Sequence, residues 1–412
     1  MNVRNYALVT SAYWAFTITD GALRTLVLLH FHDLGYSPVT LGFLFLFYEF
    51  FGIVTNLVGG WVGSRFGLNR TLYAGLGVQV VALVLLSLQD PGWAEAVSVI
   101  WVMGAQALSG IAKDLTKMSS KSAIKLVVGG SDGQRQSTLF RWVAVLTGSK
   151  NALKGVGFFV GGALLAWVGF DDALRAMAIA LVVVLAAVAA LLRQDIGRSK
   201  QPQPFAAVFS KSSAINRLSI ARFFLFGARD IWFVVALPVY LDEELGWSFE
   251  GIGAFLAAWV IGYGVVQSAT PKVLSSSAAH DVGAARRLAL ALAGVSVVIA
   301  AMLSVDLWTE VAIVGGLIVF GAVFALNSSI HSYLILAYSN DDDVALDVGF
   351  YYSANAAGRL VGTLLSGVVY LIGGLAAALW TSAGFLVATW LLSQLLPAIT
   401  SEDGAPSPST PT

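Results

Sequence analysis

Apolar residues run along this chain in long, nearly unbroken blocks, with most charge gathered in short breaks between them. A helix needs roughly 20 apolar residues to cross a bilayer. That ruler picks out twelve blocks, near residues 7–31, 40–63, 71–88, 97–118, 138–167, 174–192, 214–241, 249–270, 286–304, 309–337, 348–372 and 375–396. The longest polar break, from Arg193 to Arg217, holds Pro202 and Pro204 among several cations and divides the blocks into two sets of six. The expected organisation is an N-terminal bundle over 1–192, a cytoplasmic linker over 193–213 and a C-terminal bundle over 214–396. A tail over 397–412, rich in Ser, Thr and Pro, is expected to be disordered. The fold class predicted is all-α integral membrane, with twelve transmembrane helices in two six-helix bundles.

Composition agrees. Charged residues make up 12% of the 412 and hydrophobic ones 57%, whereas a soluble domain carries about 25% charged residues. A soluble enzyme, a disordered chain and a fibrous repeat are excluded. A formal net charge of zero gives no reason to expect nucleic acid as a partner. With no cysteine, disulfides, thiolate metal sites and Cys nucleophiles are absent. The first block is too long for a signal-peptide core and carries Asp20 and Arg24, so it is expected to stay as the first span.

Loop charge sets the expected orientation. Asp90, Glu95, Asp242, Glu243 and Glu244 fall on one side; Arg70, Lys121, Lys125, Arg193, Arg286 and Arg287 fall on the other. The positive-inside rule then makes both termini cytoplasmic, in a cytoplasmic (inner) membrane. Asp341, Asp342, Asp343 and Asp347 fall on the cationic side, but acidic residues weigh little in that rule.

The halves echo each other. Leu34-Gly35-Tyr36-Ser37 after the first span matches Leu245-Gly246-Trp247-Ser248 after the seventh. Ser149-Lys150-Asn151-Ala152 in the fifth matches Ser353-Ala354-Asn355-Ala356 in the eleventh. Two pseudo-symmetric six-span halves resemble the major facilitator superfamily. The stretch from Gly60 to Arg70, with Gly60, Gly63, Arg65, Gly67 and Arg70, resembles the gating loop of that superfamily, although Ser64 stands where an Asp is common. Small-residue stripes (Gly59, Gly63 and Gly67; Gly157 and Gly161; Gly358, Gly362 and Ser366) are expected to mark close helix packing rather than substrate contact.

Intramembrane charge carries the candidate chemistry. Arg24, Lys113, Lys117, Arg141, Lys150, Lys154, Arg222, Arg229 and Arg359 face only Asp20, Glu49, Asp114 and Asp230. Such charges are costly in lipid unless they line a cavity or meet a partner, and the cation surplus implies an anionic small-molecule substrate. Arg24 and Arg229 lie on symmetry-related spans, and their planar guanidinium groups suit bidentate binding of phosphate-type oxyanions. Lys150 and Lys154 share one face of the fifth span, and Lys113 and Lys117 form part of a stripe on the fourth. Substrate binding is assigned to these cations with Arg222, Arg359, Asn151 and Asn355. The bland alternatives are mutual neutralisation of Asp20 and Arg24, snorkelling of Lys113 and Lys117, and Glu49 as a buried partner of a cation. His331 and Asn327 are expected to be satisfied packing polars, and His30 and His32 to do little.

At these residues the chain resembles a narrower family. The stretches Asn5–Ser37, Phe43–Trp61, Ala107–Leu126 and Phe140–Leu165, among them "FRWVAVLTGSKNALKGVGFFVGGALL", look like the organoarsenical efflux permeases of the ArsJ family. The resemblance covers most of the N-terminal half and is looser beyond it. It implies export of 1-arseno-3-phosphoglycerate and a functional partnership with a glyceraldehyde-3-phosphate dehydrogenase that makes this ester. Trivalent arsenic favours thiolates, which this chain lacks, whereas a pentavalent arsenate ester is a hard oxyanion suited to Arg and Lys. With no nucleotide-binding motif and no cofactor expected, coupling falls to proton antiport through Asp20, Glu49 or Asp230. The protein is expected to act as a monomer. Two alternatives stay open: a proton-coupled antiporter for sugar phosphates or other organic anions, and a non-transport membrane sensor or hydrolase. The second lacks an output domain, a Ser-His-Asp grouping or an HExxH motif.

Overall fold

A computed structural model describes residues 3–66, 68–127, 132–192, 212–273, 282–338 and 344–397. Every described element is helical: α1 (Val3–Asp33), α2 (Pro38–Leu44), α3 (Leu46–Phe66), α4 (Leu68–Leu86), α5 (Glu95–Val127), α6 (Asp132–Val168) and α7 (Phe170–Leu191) in the first half. The second half holds α8 (Ser213–Phe233), α9 (Ala236–Glu243), α10 (Phe249–Val273), α11 (Val282–Ser304), α12 (Thr309–Tyr338) and α13 (Val344–Gln394). Among the described residues, ten segments are long and apolar enough to cross a membrane. One of them, Asp347–Gln394, makes two passes, and the more charged α1 completes the twelve. Most of the linker and tail expected over 193–213 and 397–412 lies outside the described residues.

Two expected spans depart from single unbroken helices. The second divides at Phe45 into α2 and α3, and the seventh divides at Val234–Val235 into α8 and α9. The bared amide groups of Val235 and Ala236 donate to Ser366 Oγ at 3.2 and 3.0 Å. A buried break needs such an acceptor, because unpaired backbone donors are costly away from water. The long helix α13 reverses at Gly373–Gly374, where Gly374 takes φ +64°, a left-handed conformation that favours glycine. This separates the eleventh and twelfth spans where the sequence placed the boundary.

The first sequence echo has a common local structure. Gly35 and Gly246 both adopt positive φ, 83° and 64°, and end the first and seventh spans. Two residues on, Ser37 Oγ accepts from Thr40 N at 3.2 Å and Ser248 Oγ accepts from Gly251 N at 3.2 Å, capping the helices that follow.

The halves meet along two seams. In one, α6 packs against α10; in the other, α2 and α3 pack against the first limb of α13. The expected packing stripes, where the structure describes them, close helices within each half rather than across the seams. A Cβ at Gly157 or Gly161 would strike the backbone of Ile18 or Ala22 in α1, and one at Gly358 or Gly362 would strike Phe223 or Gly227 in α8. An aromatic core of Trp232, Trp259, Phe320 and Phe324 fills the second half, with Trp232 and Phe320 ring centres 5.1 Å apart. Outward faces carry exposed Ile179, Val183, Val298 and Ile372, a surface suited to lipid. Trp167 and Trp308 stand exposed at helix ends, as membrane-interface aromatics do.

Candidate functional site

The buried charges gather where α1, α3, α5, α6, α8 and α13 face one another. At the centre is a continuous chain of five side chains. Arg24 on α1 donates to Glu49 Oε1 on α3, and Arg359 on α13 donates from Nη2 to the same oxygen at 2.6 Å. Arg359 Nε reaches Asp230 Oδ2 on α8 at 3.0 Å. Asp230 Oδ1 accepts from the adjacent Arg229, whose Nε and Nη2 lie at 2.6 and 2.5 Å. Arg359 thus joins a carboxylate of the first half to one of the second. Glu49 and Asp230 are fully buried, while the side chains of Arg24, Arg229 and Arg359 are 9%, 15% and 16% exposed. The carboxylates are sealed in, and the cations keep a part of their surface open.

Two further polar groups belong to the same charged region. Asp20 accepts from Tyr48 Oη at 2.5 Å and pairs with Lys154 Nζ at 3.4 Å. On α5, Lys117 Nζ donates to Asp114 Oδ1 and to Asn56 Oδ1, both at 2.8 Å, and Asp114 also accepts from Thr55. Lys113 Nζ lies 3.9 Å from the Tyr48 ring centre, a cation–π contact. Lys150, one turn before Lys154, is half-buried on the same helix. Snorkelling of Lys113 and Lys117 toward the interface is therefore corrected, because both heads turn inward to partners. Mutual neutralisation of Asp20 and Arg24 is also corrected: each finds its partner on another helix.

Arg222 stands apart. It is buried and donates from Nε to Asn355 Oδ1 at 3.0 Å and from Nη1 to the oxygens of Ser328 at 3.1 Å. Asn151 donates to Gln267 Oε1 at 3.0 Å across the α6–α10 seam, so the two echoed asparagines both reach across to a facing helix. Asn327 and His331 are fully buried on α12, but among the described residues no side-chain nitrogen or oxygen of either has a hydrogen-bond partner. The expectation of satisfied packing polars fails for both. His32 also does more than expected: its Nε2 lies 3.0 Å from Asp242 Oδ2, linking α1 to α9 between the halves. His30 stacks on Phe170 with ring centres 3.9 Å apart. Of the gating loop, Arg70 is exposed; Gly60, Gly63, Arg65 and Gly67, like Arg141, Lys121 and Lys125, lie outside the residues whose side chains are described.

Two helical bundles with ionisable side chains paired where they meet fit the architecture of secondary transporters. Residues 9–333 match the Major Facilitator Superfamily, and the chain belongs to it. It is a multi-pass membrane protein of a transporter class. No match was found among curated proteins. Among solved structures it is similar to a POT family transporter in complex with 5-aminolevulinic acid, at 11% identity and TM-score 0.74, with 98% of this chain and 97% of that one covered. A POT family transporter in complex with a thioalcohol-conjugated peptide aligns at 11% identity and TM-score 0.73, covering 95% and 96%. The human organic anion transporter MFSD10 (TETRAN) aligns at 15% and 0.68, covering 95% and 100%. At these identities the likeness concerns the fold.

Proposed function

We propose that this protein is a secondary active exporter of an organic oxyanion, and that its substrate is 1-arseno-3-phosphoglycerate. The observation that carries this reading is the composition of the inter-half cluster. Arg24, Lys113, Lys117, Lys154, Arg229 and Arg359 gather about only Asp20, Glu49, Asp114 and Asp230 among the described residues. Six cations against four carboxylates leave positive charge for an anion to complete. The N-terminal resemblance to the ArsJ family narrows the anion to an arsenate ester. Arg24 and Arg229 would hold one oxyanion end and Lys150 and Lys154 the other, in an alternating-access cycle.

The same geometry supports a coupling scheme. An anion entering the cluster draws Arg359 away from Glu49 and Asp230, so the halves separate. Its outward passage in a cell with a negative interior is electrically favourable by about 2.3 kcal/mol per charge per 100 mV. A proton on Glu49 or Asp230 weakens the same ion pairs, and one on Asp20 weakens its pair with Lys154; either lets the emptied carrier return, which gives proton antiport. Both termini would be cytoplasmic in the inner membrane, the working unit a monomer, and a glyceraldehyde-3-phosphate dehydrogenase the source of substrate.

The test is arsenate resistance in a host lacking its own dehydrogenase activity. Permease together with a glyceraldehyde-3-phosphate dehydrogenase should confer resistance; permease alone should not. Strong resistance from the permease alone would refute the arsenate-ester assignment. Facilitated growth or exchange on sugar phosphates without any arsenate phenotype would support the organophosphate antiporter instead.

A further inference from the structure

Arg222 is a buried cation with no carboxylate within ion-pair distance among the described residues. Its hydrogen bonds go to an amide oxygen and to the oxygens of a serine, all neutral. Arg24, Arg229 and Arg359 of the central cluster each have a carboxylate partner. A full charge so placed is stabilised only in part by neutral dipoles.

The surroundings of Arg222 hold spare hydrogen-bonding capacity. Ser328, which Arg222 grips, also accepts from Tyr263 Oη at 3.2 Å. On the same helix, His331 lies three residues after Ser328 and so shares its face. Asn327 lies four residues before His331, hence on the same helix face. Both are fully buried, with both side-chain polar atoms unpartnered. Buried polar groups in native proteins nearly always have partners. Two such side chains lie on the helix that carries Ser328, whose oxygens hold a guanidinium bonded to neutral groups alone.

Position adds the second half of the argument. Arg222 and Arg229 are seven residues apart on α8, which is two turns on one face and roughly 10 Å along the axis. Phe226 lies between them, its ring centre 3.9 Å from Arg222 Cζ and 5.0 Å from Arg229 Cζ. The two guanidinium groups flank one aromatic ring, spaced for a short carbon chain with an oxyanion at each end. We infer that Arg222, His331 and Asn327 form a second oxyanion subsite, which selects substrates bearing two anionic ends. This rests on the proposed oxyanion reading and departs from it in moving the second end from Lys150 and Lys154 to Arg222.

The experiment is equilibrium binding to the purified full-length protein of two probes: 3-phosphoglycerate, anionic at both ends, and glycerol 3-phosphate, anionic at one. Wild type should favour the two-ended probe on the order of tenfold, the worth of one added charge-assisted contact. Arg222→Gln should bring the ratio of the two affinities near one, whereas Arg359→Gln should weaken both probes together. Asn327→Leu and His331→Leu replace unpartnered polar groups with apolar ones. They should melt no lower than wild type without ligand, yet also reduce the ratio. These two decide the matter if Arg222→Gln does not fold. An unchanged ratio in folded variants would overturn the subsite while leaving the oxyanion reading intact. Binding of neither probe by wild type would overturn both.

Discussion

Arg359 Nη2 lies 2.6 Å from Glu49 Oε1, so a cation of the second half closes on a fully buried carboxylate of the first. The same guanidinium holds Asp230 through Nε at 3.0 Å. One side chain therefore ties the halves together. In Arg359→Gln each carboxylate keeps one other cation, Arg24 or Arg229. The loss of stability should be about 2 kcal/mol, below the ~3–5 kcal/mol of a fully bared buried charge. Transport should fall to background. Thermal unfolding in detergent, paired with proteoliposome flux, measures both.

Glu49 offers the converse. Glu49→Gln leaves Arg24 without a carboxylate and Arg359 with Asp230 alone, and should destabilise more than Arg359→Gln. Removing both partners relieves the unpaired charge, so the double variant should be more stable than the sum of the singles by about 1–3 kcal/mol. Additive effects would show that the pair is not coupled.

Ser366 tests the break in the seventh span. Its hydroxyl accepts from both Val235 N and Ala236 N, and Ser366 is fully buried. Ser366→Ala leaves two buried donors unpaired and should cost about 1–3 kcal/mol per donor. Ser366→Thr, which keeps the oxygen, should recover a part of that loss. Thermal unfolding of the two variants gives the comparison.

His32 and Asp242 lie 3.0 Å apart between α1 and α9, at the end of the bundle opposite the termini. Breaking this contact should favour opening there. The chain has no cysteine, so a single Phe233→Cys provides a clean reporter near the α6–α8 contact, where Phe158 and Phe233 ring centres are 6.1 Å apart. Adding Asp242→Asn or His32→Ala should raise its labelling by a membrane-impermeant thiol reagent severalfold. Equal labelling would remove any latch role.

Much of the fold was legible because its determinants are local. The twelve apolar blocks follow from bilayer thickness, and Gly35 with Ser37 and Gly246 with Ser248 encode a helix stop and start within four residues. The break at Val235 was missed, although Pro238 three residues later is a signal for one. In the site, the identities of Arg24, Glu49, Arg229, Asp230 and Arg359 could be read from charge in an apolar run. Their pairings could not. Asp20 has Arg24 one turn away on its own helix yet pairs with Lys154, because helix packing and not sequence separation decides which heads meet. The unpartnered state of Asn327 and His331 was hidden for the same reason: satisfaction of a buried polar group depends on neighbours from other spans.

The central claim is that the cation cluster carries an arsenate ester and not arsenate. The direct measurement is arsenic accumulated inside everted membrane vesicles holding a proton gradient, read by elemental analysis. Glyceraldehyde-3-phosphate dehydrogenase, its sugar-phosphate substrate, its nicotinamide cofactor and arsenate are supplied outside. Arsenic should accumulate only when all four are present, and Arg359→Gln vesicles should stay at background. Equal accumulation from arsenate alone, or none with the complete mixture, would contradict the account.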